Sequence, residues 1–385
     1  MTDCKAMRIV LAPDSYKGSL ESLEVAEAME AGIRRVIPHA EVIKIPIADG
    51  GEGTVDAVLA AVPGERRTVT AKDPLGRPVQ AAYALLADGT AVIETAAASG
   101  LPLLERSERD ALKATTYGTG ELVRDALDAG CRRIVIGLGG SATTDGGMGL
   151  GQALGYRFLD GCDNELGYGG GELEKLAAID ASAADPRLAE TEVILCCDVT
   201  NPLYGAEGAA HIFAPQKGAN AETVARLDRG LRRYAAVLRR SLGAHVHRLP
   251  GAGAAGGLGA GAAALLHAAL RPGFDLLAGI TRLEEAIVGA GLVLTGEGRT
   301  DGQTACGKAP AGVAGLARKH GVPAVCLSGG LGPGADALYA QGVTALMSIV
   351  DGPMSLDDAL AGARPLLERA AENAVRLFAA ARAAR

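Results

Sequence analysis

Apolar positions along the chain follow two different periods, and the change of period marks the predicted elements. Residues 8–12 form a short apolar run that reads as a strand. Leu23, Ala26, Met29, Ile33 and Val36 recur at spacings of three and four, which predicts one face of a helix. Residues 41–46 read as the next strand, and a second helix is expected from about Thr54, just after Gly50-Gly51-Glu52-Gly53. This repetition is the pattern of a parallel α/β sheet.

The middle of the chain changes character. Val79, Ala81, Tyr83 and Leu85 alternate in a run that ends at Ala87-Asp88-Gly89-Thr90, and residues 91–95 follow as a second strand. Two strands around Asp-Gly read as a β-hairpin. Hairpins do not belong inside a purely parallel wound sheet, so a domain change is expected near residue 63. Strands are also expected at 133–138 and 193–197, with a long charged helix around 223–241. From about Gly291 the parallel pattern returns: strand 292–295, helix 308–320, strand 324–328, helix 335–341, strand 345–350 and a C-terminal helix. Neither end makes a comfortable domain alone. The expected fold is therefore α/β with two α/β domains. Residues 1–62 plus 291–385 form a Rossmann-like wound sheet, and residues 63–290 form an inserted α/β domain carrying the hairpin.

Composition narrows the function. The net charge is −7 and aromatics are only 3% of residues, so the basic footprint and stacking platform of a nucleic-acid binder are both missing. The start of the chain has no apolar signal region of useful length. The apolar stretch 251–270 is built from Gly and Ala, and reads as a buried helix after a glycine turn rather than a membrane span. The seven Cys are odd in number and lack metal-type spacing, so they read as thiols in a reducing, cytoplasmic compartment. Oligomeric state is not readable, and a homodimer stays open.

The 54 glycines cluster beside Ser, Thr and Asp, the composition of phosphate-cradling loops rather than of a linker. Ala12-Pro13-Asp14-Ser15-Tyr16-Lys17-Gly18-Ser19 runs from strand to helix, with Asp14 as an acceptor and Lys17 as a point charge for an anion. The plainer reading is a helix entry capped by Ser19 or Ser22. Ile47-Ala48-Asp49-Gly50-Gly51-Glu52-Gly53-Thr54 puts two carboxylates, Asp49 and Glu52, in one turn. A cap at Asp49 alone does not need three glycines. In Gly137-Leu138-Gly139-Gly140-Ser141-Ala142-Thr143-Thr144-Asp145-Gly146-Gly147, backbone N–H groups and the hydroxyls of Ser141, Thr143 and Thr144 suit an anion. It is not a P-loop, because the closing Gly-Lys-Ser/Thr is absent.

Cys197-Asp198-Val199-Thr200-Asn201-Pro202-Leu203 offers Asp198 as a general base or Mg²⁺ ligand, against an Asx-turn into Pro202. Lys217, in Ala214-Pro215-Gln216-Lys217-Gly218, adds a phosphate contact or is a plain surface lysine. Thr295-Gly296-Glu297-Gly298-Arg299-Thr300-Asp301-Gly302-Gln303-Thr304 reads as a strand-end loop. There Arg299 can clamp a carboxylate or phosphate, and Glu297 with Asp301 can bind Mg²⁺. Gly251-Ala252-Gly253-Ala254-Ala255-Gly256 matches the dinucleotide fingerprint, but without a clear preceding strand or the expected acidic residue.

Taken in order, APDSYKGS, PIADGGEGT, GLGGSATTDGGMG, CDVTNPLYG, FAPQKGA, GAGAAGGLG and TGEGRTDGQTACGK resemble the glycerate kinase type-1 family across residues 12–308. One departure is Tyr16, where the family usually has Phe. The resemblance implies ATP-dependent phosphorylation of D-glycerate, with the 2-hydroxyl expected and the 3-hydroxyl as the alternative. With that reaction, loop chemistry assigns Gly139, Gly140, Ser141, Thr143, Thr144 and Lys217 to ATP phosphates and Glu297 and Asp301 to Mg²⁺. Lys17 and Arg299 would orient the substrate carboxylate or the phosphoryl group. Asp14, Asp49, Glu52 and Asn201 would hold the substrate, and Asp198 would accept the hydroxyl proton. The rivals are a kinase of another small hydroxy acid and a non-catalytic glycerate sensor. GHMP-type kinases share a GLGSSA loop similar to GLGGSA here, but their other signature stretches are absent.

Overall fold

The computed structural model describes residues 7–48, 50–306 and 308–383, less the side chain of Cys306. The chain divides into two compact units. A terminal unit holds Met1–Ala48, Asp56–Val62 and Phe274–Arg385, and a middle unit holds Asp49–Val55 and Pro63–Gly273.

The terminal unit is built on five parallel strands. Their order is Ala345–Ser348, Ala324–Leu331, Leu292–Thr300, Arg8–Leu11, Glu41–Lys44. Alternate residues serve opposite faces. Ile9, Leu11, Leu292 and Leu294 enter one apolar cluster, while Val10, Val293 and Ala324 enter another. The helix Ser22–Val36 starts with a reciprocal cap between Glu21 and Glu24 and buries Val25, Ala26, Met29 and Ile33. It packs on the C-terminal helix Ala363–Ala383, with Arg35 paired to Glu368 and Glu372.

The order in which the chain adds strands to this sheet reverses between the parallel neighbours Arg8–Leu11 and Leu292–Thr300. In wound sheets such a switch point, at the carboxyl ends of the strands, is where ligands bind. Both terminal-unit motifs fall there.

Two differences from the sequence expectation have physical reasons. Residues 295–300 continue the strand rather than form a loop, because Glu297, Arg299 and Thr300 stay in register with Ser328, Gly330 and Leu331. The return to the terminal unit comes before residue 291, because Phe274, Ala278, Leu283 and Ile287 pack into the cluster around Val10 and Val293.

The middle unit carries a six-stranded mixed sheet. Its order is Ala269–Arg271, Glu192–Cys196, Arg133–Gly137, Thr90–Glu94, Pro78–Leu86, Gly64–Lys72. The first four are mutually parallel, and the last two complete an antiparallel meander. The hairpin turns at Asp88-Gly89 as expected. Gly89 has φ +82° and Asp88 Oδ1 accepts from Thr90 N at 2.9 Å. The edge strand Gly64–Lys72 escapes the hydrophobic pattern because Glu65, Arg66 and Arg67 lie in its first half. Charge of that kind blunts a sheet edge. The long helix Ala221–Leu242 is capped by Asn220 and buries Leu227, Leu231, Tyr234 and Leu238. Among the described residues no helix is long and apolar enough to cross a membrane.

Candidate active site

In the middle unit the neighbouring parallel strands Arg133–Gly137 and Glu192–Cys196 end together, with Gly137 level with Cys196. They release the glycine loop and the Asp198 loop side by side. Residues 50–54 lie on the same strand ends, and this close seat is what the glycines are for. Gly139 N donates to Gly50 O at 3.1 Å. A methyl on Gly139 would stand 2.5 Å from Gly51 Cα, and one on Gly50 (φ +86°) 2.6 Å from Cys196 Cβ. A methyl on Gly137 would overlap Gly50 O. Gly137→Ala is therefore expected to destabilise the protein by about 1–3 kcal/mol through overpacking. Thermal unfolding against the wild type checks this.

A cavity of about 340 Å³ opens at these strand ends, near the small end of ligand pockets. Gly139, Gly140, Ser141, Asp198 and Lys217 line it, with Cys196, Cys197 and Ala255. Lys217 is not a surface lysine. It is 2% exposed, and its Nζ donates to Ser141 Oγ at 2.9 Å and Thr143 O at 2.6 Å. Burial pulls its pKa down to about 7, with Asp145 opposing. Asp198 is exposed, and its Oδ1 accepts from Gly273 N at 2.8 Å. Glu52 lies against the glycine loop, its Oε1 3.1 Å from where a Gly140 methyl would be.

Other expected residues sit elsewhere. Thr143 and Thr144 are fully buried and do not line the cavity; their hydroxyls have no hydrogen-bond partner among the described residues. Thr143 instead serves through its carbonyl. The Asn201 side chain donates to Glu207 O at 2.9 Å, closing its own loop, and is not in the cavity lining. Asp49 lies outside the described residues.

Asp145 is the residue the sequence reading passed over. It is fully buried and accepts from Thr116 N at 2.8 Å, Thr116 Oγ1 at 2.9 Å, Gly147 N at 3.1 Å and Gly149 N at 3.2 Å. Burial raises its pKa, and these donors work against that rise. It ties the end of the glycine loop to the start of the helix Tyr117–Asp128. The dinucleotide-like glycines also find their use here. Gly146 N donates to Gly256 O at 3.1 Å, and a methyl on Gly256 would overlap Thr143 O.

In the terminal unit the two motifs flanking the switch point are packed together. Asp14 N donates to Gly296 O at 2.8 Å, and Lys17 N is 3.3 Å from where a Gly298 methyl would be. The Asp14 carboxylate accepts from Ser15 N at 2.6 Å, and the Lys17 side chain is exposed. The Tyr16 hydroxyl, extra relative to Phe, is buried and satisfied by donating to Leu327 O at 2.8 Å.

Glu297 is 7% exposed, and its Oε1 accepts from Thr304 Oγ1 at 2.6 Å and Thr300 Oγ1 at 3.1 Å. Burial is the largest influence on its pKa and raises it; the two hydroxyls oppose. Arg299 stands with its side chain 72% exposed, and its Nε lies 3.7 Å from Asp301 Oδ2. So exposed a pair contributes little to stability, which leaves the guanidinium available to an anion.

The carboxylates of Glu297 and Asp301 carry hard oxygens, the ligand type that Mg²⁺ takes. The described residues hold no cluster of three metal-binding side chains.

The sequence profile of the glycerate kinase family matches residues 9–379. A glycerate kinase of Halalkalibacterium halodurans is 49% identical over 366 residues, 95% of this chain and 96% of that protein. A glycerate 2-kinase of Escherichia coli K12 is 46% identical, over 95% of this chain and 97% of that protein. A crystal structure from Salmonella typhimurium LT2, proposed to be glycerate kinase 2, superposes with a TM-score of 0.88 at 47% identity, covering 98% of this chain and all of that one.

Proposed function

The chain belongs to the glycerate kinase family, and from that premise we propose that it transfers the γ-phosphoryl group of ATP to the 2-hydroxyl of D-glycerate. It is an enzyme that phosphorylates glycerate. The observation that carries the site assignment is the cavity lined by Gly139, Gly140, Ser141, Asp198 and Lys217, with Lys217 bonded to Ser141 Oγ and Thr143 O. The choice of the 2-hydroxyl is supported by the named specificity of the Escherichia coli relative.

Phosphoryl transfer asks mainly for positioning and charge neutralisation. Gly140 offers a backbone N–H group to the phosphates, Gly139, whose own N–H is given to Gly50 O, offers close approach, and Ser141 and Lys217 offer side-chain donors. Asp198 accepts the proton of the attacking hydroxyl. Lys17 and Arg299 are the cations for the substrate carboxylate or the phosphoryl group, with Asp14, Asp49 and Glu52 as acceptors for substrate hydroxyls. Glu297 and Asp301 would hold Mg²⁺, which when bound neutralises phosphate charge. Work in the cytoplasm agrees with the free thiols of Cys131, Cys162, Cys197 and Cys326.

Phosphorus NMR of the product made from D-glycerate and ATP tests the regiochemistry. A secondary phosphate ester, 2-phosphoglycerate, is expected. A primary ester would mean that the 3-hydroxyl is the acceptor.

A further inference from the structure

A buried lysine needs a counter-charge, and among the described residues Lys217 has none within hydrogen-bond reach. Its two acceptors, Ser141 Oγ and Thr143 O, are both neutral. An ammonium carries three N–H donors, so one remains beyond these two. The backbone that carries it is held in place: Lys217 sits in the single turn Pro215–Lys217, its N bonded to Ala214 O, and the next residue, Gly218 (φ +92°), is pressed on Arg109 O.

The charged groups around it come from four other segments. Asp145 lies behind the glycine loop, its carboxylate already shared among Thr116, Gly147 and Gly149. Asp198 lines the same cavity, and Glu52 lies at Gly140. Arg109 Nη1 donates to Gln216 O at 3.4 Å and adds a like charge. None of these groups forms an ion pair with Lys217 among the described residues.

We propose that Lys217 is a proton-coupled anchor, whose amine is completed to the ammonium when a polyphosphate anion enters the cavity, so that nucleotide binding takes up a proton. This rests on the assignment of ATP phosphates to the glycine loop. The anion supplies the missing counter-charge and an acceptor for the third N–H. The direction of the pKa shift agrees: burial has lowered it to about 7, and an adjacent anion raises it again. Nucleotide affinity accordingly weakens about tenfold per pH unit above pH 7, until the ligand-bound amine itself titrates.

Calorimetry tests this with intact protein and MgATP, in buffers of different ionisation enthalpy. At pH 8, where phosphate groups are already ionised, uptake of about 0.9 proton per site is expected, falling to about 0.1 at pH 6. Lys217→Arg, which cannot lose its proton, is expected to abolish the uptake. The wild-type comparison between the two pH values stands even if that variant does not fold. MgATP binding with heats independent of buffer would overturn the proposal while leaving the ATP assignment in place. Proton uptake on binding D-glycerate alone, and none with MgATP, would instead overturn the phosphate assignment of the cavity.

Discussion

Asp198→Asn is expected to lower kcat by about 10²–10⁴-fold, the usual worth of a general base, with the fold intact. The structure explains why this substitution is a clean one. Asp198 is exposed at the end of the strand Glu192–Cys196, and its Oδ1 accepts from Gly273 N at 2.8 Å. An asparagine carbonyl oxygen accepts the same bond, so the loop keeps its anchor. What the amide cannot do is take a proton. The loss should therefore appear in kcat, with KM for ATP little changed, because Lys217 and the glycine loop are untouched. The melting temperature is expected to move by no more than a degree or two. A fall in kcat of less than tenfold, in a variant that melts like the wild type, would remove Asp198 from the role of base.

Much of this site was legible because glycines and charges fall at strand ends, and strand ends can be read from apolar runs. The switch point between Arg8–Leu11 and Leu292–Thr300 follows from the two parallel patterns at the chain ends. What the sequence hides is which way a polar group faces. Thr143 and Thr144 look like phosphate ligands by composition, yet both hydroxyls are buried away from the cavity. Asp145 looks like a turn residue and is a fully buried anchor.

Residues 295–300 look like a loop because Gly296 and Gly298 interrupt the apolar run. In the sheet those glycines admit close neighbours. A methyl on Gly296 would overlap Leu327 O, and one on Gly329 would overlap Gly298 O. Strand glycine as a mark of close backbone approach is a known ambiguity. Periodicity alone cannot separate it from a loop. Lys217 shows the same limit for charge: its residue type suggested an anion, but only burial reveals how strongly it needs one.

Lys217→Met is expected to make the protein more stable and less active at the same time. Burial lowers the folded pKa of Lys217 from 10.5 to about 7. Below pH 7 the amine is charged in both folded and unfolded chains, and burying that charge costs about 5 kcal/mol. Between pH 7 and 10.5 the unfolded chain holds the proton more tightly than the folded one. Wild-type stability should therefore rise with pH across that window, and the cost is gone above it.

Methionine has a similar shape and no charge. It does leave Ser141 Oγ and Thr143 O without their donor, at about 1 kcal/mol each. The net expectation is a gain of about 2–3 kcal/mol at pH 6.5, shrinking to a deficit near pH 10. Denaturant unfolding of both proteins at the two pH values measures this crossing. In the same variant, loss of a charged phosphate contact should reduce kcat/KM about 10–100-fold. A variant less stable than wild type at pH 6.5 would show that the buried amine is already well compensated, and unchanged kcat/KM would show that it touches no phosphate. The two readouts are independent. A lysine kept for packing alone would lose stability when replaced, whereas one kept for the ligand gains it.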